Sequence, residues 1–160
     1  MGLVATGALA LAAVIGSGAR LSLGSQGQMI ASERAAEAIE SVTKARDSRV
    51  LTWAQIRNVR GASGGDGGVF IDGPQAIRDP GVDGLVNTAD DGAPVVIVTP
   101  GPDGLLGTAD DVKTPLTGFT REIQIRDLSA NLRQLTVIVT FPTFAGTSQF
   151  VLTTYLSAYA

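Results

Sequence analysis

Cysteine and histidine are both missing from the chain. Their absence excludes disulfides, thiolate nucleophiles, imidazole bases and most transition-metal sites. Any bracing beyond packing must come from a hard cation. Aromatics are sparse, at 5% of residues. The single tryptophan, Trp53, is expected to anchor one part of the fold to another rather than to stack on a ligand. Proline is absent before Pro74, and no ionisable side chain occurs between Met1 and Ala19. Without proline, that first stretch can continue past Ala19 as unbroken helix.

The N-terminal stretch itself is apolar and small. Leu3, Val4, Leu9, Leu11, Val14 and Ile15 are set among Ala and Gly. A helix rising about 1.5 Å per residue needs roughly 20 such residues to cross a bilayer, so the run is just long enough. A cleaved signal peptide fits less well, because only Met1 and Gly2 stand where its basic region would be. A buried globular helix also fits less well, since small residues on all sides suit lateral packing between membrane helices. From Ile30 the pattern becomes amphipathic. Ile30, Ala35, Ala38, Ile39, Val42 and Ala45 recur at helical steps, with Glu33, Arg34, Glu37, Glu40 and Lys44 on the other faces. A bend is expected at Gly24–Gly27 or at Gly16–Gly18, because a helix-interior glycine costs about 1 kcal/mol relative to alanine. Leu51–Ile56 reads as one more short helical piece.

Charge is distributed unevenly. Between Gly61 and Val112 nine carboxylates face Arg78 alone, a net of −8; the remaining eleven basic and six acidic groups give +5, for −3 overall. This segment is no nucleic-acid surface and is better suited to a cation. It also holds an internal repeat. Gly81-Val-Asp83-Gly84-Leu-Val-Asn-Thr88-Ala-Asp90-Asp91 is echoed by Gly101-Pro-Asp103-Gly104-Leu-Leu-Gly-Thr108-Ala-Asp110-Asp111. Each copy gathers three carboxylates within about nine residues, and hard cations prefer such oxygen-rich loops. Asp83, Asp90, Asp91, Asp103, Asp110 and Asp111 are therefore candidate calcium ligands. The spacing resembles Asp-rich loops of extracellular calcium-binding repeats and fails the EF-hand pattern. The alternative is that these are plain Asp-Gly turns whose aspartates cap backbone amides.

Strand signals occupy the rest. Val69–Ile71 and Val95–Val98 are short β-branched or aromatic runs. Phe119–Ile125, Leu135–Phe141 and Phe150–Leu156 alternate with period two, separated by turn signals at Leu128–Asn131 and Pro142–Gly146, as in an antiparallel meander with one buried face. The expected fold is α+β: a long N-terminal helix packed on a small antiparallel sheet. Residues 1–46 would form the helix, with a membrane or filament-core half at 1–23 and an amphipathic half at 28–46. Residues 47–160 would form a head, with an acidic loop region at 61–116 and the sheet at 117–160. No nucleophile–base constellation appears, so no enzyme is expected.

Leu3-Val4-Ala5-Thr6, the helix that turns amphipathic, and the final Leu152-Thr-Thr-Tyr-Leu-Ser157 together resemble a type IV pilin or pseudopilin. The resemblance covers both ends of the chain. It implies a pilin-like fold and a structural subunit held in the bacterial inner membrane before assembly and in a cell-surface filament afterwards. Leu3, Val4, Leu9, Leu11, Val14 and Ile15 would form the assembly interface. Partners would be further copies of the chain and other pilin subunits. The family's glutamate at the fifth mature position falls on Met1 in this alignment, which implies a start upstream of Met1, a chain without that residue, or an unusual mature end. The alternative function is a membrane-anchored, calcium-dependent binding or adhesion module.

Overall fold

The computed structural model describes residues 26–60 and 67–159. The described residues form one helix, α1 (residues 26–47), and six strands: β1 (Gln75–Ala76), β2 (Val96–Thr99), β3 (Val112–Pro115), β4 (Thr120–Ser129), β5 (Leu132–Thr143) and β6 (Gly146–Ser157). The strands form a four-stranded antiparallel sheet in the order β1-β4-β5-β6 and a separate two-stranded arm, β2-β3.

The expected long helix on a small sheet is corrected by this arrangement. The described helix runs about 22 residues, and the architecture is mainly β. The physical reason lies in the strands. Their pairing continues past Ile125 to Ser129, through Arg133 and Pro142, and back to Gly146, so β4, β5 and β6 reach ten to twelve residues each, and the turns between them shrink to two residues. A two-residue connection suits the right-handed twist of paired strands. The helical piece expected at Leu51–Ile56 is a set of turns, with Gln55 N and Ile56 N both donating to Thr52 O. The strand expected at Val69–Ile71 is reduced to a single bridge between Asn58 and Phe70.

α1 packs its small-residue stripe on the sheet. Ala31, Ala35, Ala38 and Val42 are fully buried and share one core with Ile123, Leu135, Val137, Val139 and Phe141. Alanine on this stripe lets the helix backbone approach the strands closely. Gly27, in the first turn, goes further: a Cβ there would lie 3.0 Å from the Phe141 ring. That close approach accounts for a glycine inside the helix; Gly16–Gly18 and Gly24 fall outside the described residues. Glu40 and Lys44 form the expected pair on the exposed face, at 3.1 Å. The helix closes at Arg49, which has φ 58°, a left-handed position that usually takes glycine. Leu51 N then donates to Ala45 O.

α1 therefore lies along β5 in the opposite sense. Its start sits at the Phe141 end, and its finish sits where Arg46 Nη1 donates to Ser157 O and Trp53 Nε1 donates to Ala130 O. Trp53 thus ties the post-helix segment to the β4–β5 turn, and the Arg133 guanidinium lies 4.1 Å from its ring centroid.

Candidate functional site: the paired acidic loops and the apolar stem

Both acidic repeats fold into the same turn, built by their own aspartates. Asp83 Oδ1 accepts from Leu85 N and Asp103 Oδ1 from Leu105 N, each at 2.8 Å. Gly84 and Gly104 share φ near 70°, and Asn87 and Gly107 share a second left-handed position. At Gly81 and Gly101 a Cβ would collide with the Asp90 and Asp110 carboxylates, at 2.3 and 2.4 Å to Oδ2. Thr88 and Thr108 hydroxyls donate to Asp90 and Asp110 at 2.8 and 2.6 Å. These bonds hold both carboxyls below the ordinary carboxylate range.

The six candidate calcium ligands are placed by these loops. Asp83 and Asp103 brace the Asp-Gly turns, and Asp90 and Asp110 take the threonine hydroxyls. Asp91 accepts from Asn87 N, Thr88 N and the Thr88 hydroxyl. Asp111 accepts from Gly107 N, while its other oxygen is buried without a partner among the described residues. Among the described residues no three acidic side chains form a group able to hold a metal ion. In this structure the aspartates also accept from the loops' own amides and hydroxyls.

The surroundings of the two loops differ. The first is locked into the head by Arg121, whose side chain is fully buried on the inner face of β4. Arg121 Nε donates to Asn87 Oδ1 at 2.7 Å, and Asn87 Nδ2 donates back to Arg121 O at 2.8 Å. Arg121 Nη1 reaches Glu37 Oε2 and the Arg34 carbonyl on α1. Burial lowers the Arg121 pKa, opposed by the charges of Glu37 and Asp91. One arginine thereby joins helix, sheet and loop. The second loop forms the tip of the β2-β3 arm and projects Leu105 and Leu106 into solvent.

Arg121 and Arg133 escape a reading by motif, although the sequence carries a signal for them. Both fall in phase with the apolar alternation of their strands, Arg121 with Ile123 and Arg133 with Leu135, and a charge on an apolar face implies a buried partner. Arg133 finds Asp127 and the carbonyls of Trp53 and Ile56. Asn58 is a third such residue. Its side chain donates to Ile123 O and accepts from Ile125 N, standing in for a strand at the sheet edge.

Leu3, Val4, Leu9, Leu11, Val14 and Ile15, the candidate assembly residues, lie outside the described residues. Among the described residues no helix is long and apolar enough to cross a membrane. No family model, no curated protein and no solved structure matches the chain.

Proposed function

We propose that this chain is a non-enzymatic structural subunit of an extracellular filament of the type IV pilus or pseudopilus kind. The observation that carries the reading is a division along the N-terminal third. The stripe of α1 at Ala31, Ala35, Ala38 and Val42 is sealed by the chain's own sheet. The uncharged run at Met1–Ala19 precedes that helix in the sequence and carries its leucines, valines and isoleucine among small residues. Such a run suits a bilayer first and other copies of itself later, because small residues let helices pack closely without a hydrophobic driving force. Before assembly the chain would sit in the inner membrane, and afterwards its β-rich head would face outward.

The test is to shear filaments from the native cells, image them by negative stain and identify their subunits by mass spectrometry. The chain is expected in the filaments, and a Val14→Asp or Leu11→Asp variant is expected to be lost from them. Filament incorporation of either variant at wild-type yield would overturn the reading. So would recovery of the wild-type chain only as a detergent-extracted monomer, which points to a tethered binding module.

A further inference from the structure

Two ends of the head carry complementary surfaces. At the far end of α1, Arg46, Arg49, Leu51, Trp53 and Tyr159 line an open groove of about 430 Å³. Arg46 is engaged with Asp47. The Arg49 guanidinium makes no hydrogen bond or ion pair with any described residue, although a non-glycine residue holds a left-handed backbone there. At the near end, β2 lies against the first turns of α1 across a groove lined by Met29, Ile30, Val96 and Val98. The arm that begins there ends in the second acidic loop. That loop carries Asp103, Asp110 and Asp111 beside Lys113, with Leu105 and Leu106 62% and 64% exposed. A helix of about 22 residues is about 33 Å long, and the residues that face β2, from Gln26 to Arg34, and the Arg49 groove stand toward opposite ends of it.

The fold itself shows how this loop type docks. In the first repeat the equivalent Leu85 and Val86 point inward, and the adjoining Asn87 and Asp91 face the Arg121 guanidinium. The groove at the end of α1 offers related chemistry: apolar and aromatic walls for Leu105 and Leu106, and at its rim an arginine without a partner among the described residues, which the loop's carboxylates match in charge where Gly107 lacks the Asn87 amide. We propose that the second acidic loop of one copy docks in the Arg49 groove of the next copy. The contact is head-to-tail, with a different patch on each side, so it propagates along a line instead of closing a dimer. It rests on the filament reading and names the surfaces by which the heads would meet.

Because the chain has no native cysteine, the contact can be trapped covalently. Arg49→Cys, Leu105→Cys and the double variant are expressed as full-length chain in the native cells and mildly oxidised. The double variant is expected to give a ladder of dimers, trimers and longer species, and each single variant to stay monomeric. An intramolecular bridge would leave the oxidised double variant monomeric, and that outcome would overturn the proposal. Absence of a ladder from filaments that contain the double variant would overturn the proposal and leave the filament reading intact. A ladder formed in membranes of cells whose filaments lack the chain would uphold the contact and sink the filament reading. A dimer from either single variant would show a two-fold contact and overturn the head-to-tail arrangement. Arg49→Gly supplies a second measurement. Glycine suits the left-handed backbone, so the melting temperature is expected to stay at or above the wild-type value while filament yield falls several-fold. Unchanged yield would count against the proposal.

Discussion

In the first acidic repeat Leu85 and Val86 are 2% and 0% exposed, whereas their counterparts Leu105 and Leu106 in the second are almost two-thirds exposed. The loop conformation is common to both, down to the left-handed positions and the aspartate-to-amide bonds. Local chemistry therefore sets the turn, and tertiary partners set its burial. The decisive side-chain difference is Asn87 against Gly107. Asparagine tolerates the left-handed backbone and still offers an amide to Arg121, while glycine meets the backbone requirement and offers nothing. The first loop consequently belongs to the core, and the second remains available for contacts outside the head.

The most damaging way to break this contrast is Arg121→Ala. It opens a buried space beside Asn87 and leaves Glu37 with Arg34 alone, and removing one partner of a buried ionic network costs about 3–5 kcal/mol; urea denaturation should show a loss of that size. Leu85→Ala should destabilise by about 2–5 kcal/mol. The matching Leu105→Ala should stay within about 0.5 kcal/mol, as surface changes do. Equal losses for these two leucines would erase the distinction between the loops. Asp91→Ala removes the acceptor for two backbone amides and should cost about 1–3 kcal/mol. Asp111→Ala frees a single amide and should cost about 0.5–1.5 kcal/mol.

The smallest effect is one the two loops should share. Asp90 and Asp110 are both depressed by a threonine hydroxyl. A depressed folded pKa means their contribution is complete above the unfolded value of about 3.9 and is lost as pH falls through the lower folded value. Carbon-detected NMR titration should find both carboxyls below the ordinary aspartate range, and Thr88→Val and Thr108→Val should each raise only the aspartate of their own loop.

Much of the head is legible in the residues. The stripe Ala35, Ala38, Val42 and Ala45 is buried as its spacing requires, β2 forms from the β-branched run at Val95–Val98, and the three long strands alternate as their sequence does. The balance of helix and sheet is not legible, because Arg133 and Pro142 lie beside turn signals, outside the alternating runs Phe119–Ile125 and Leu135–Phe141, although both are strand residues. Proline is tolerated at Pro142 because β4 pairs with β5 only as far as Thr140, which leaves that side of the strand open, and the arginines are tolerated because they are paired. The repeat is visible as a repeat. Its unequal burial is not, since Leu85-Val86 and Leu105-Leu106 are equally apolar, and only the partner of Asn87, thirty-four residues away, separates them.

Amide hydrogen exchange across the two repeats tests this contrast most directly. Leu85 N and Asn87 N in the first loop, and Leu105 N and Gly107 N in the second, each donate to an aspartate of their own loop. The bond made by each of these four amides is therefore matched, and the largest difference between the pairs is tertiary docking. The first pair should exchange only through global unfolding and the second through local opening, orders of magnitude faster. Equal protection of the two pairs would contradict the account.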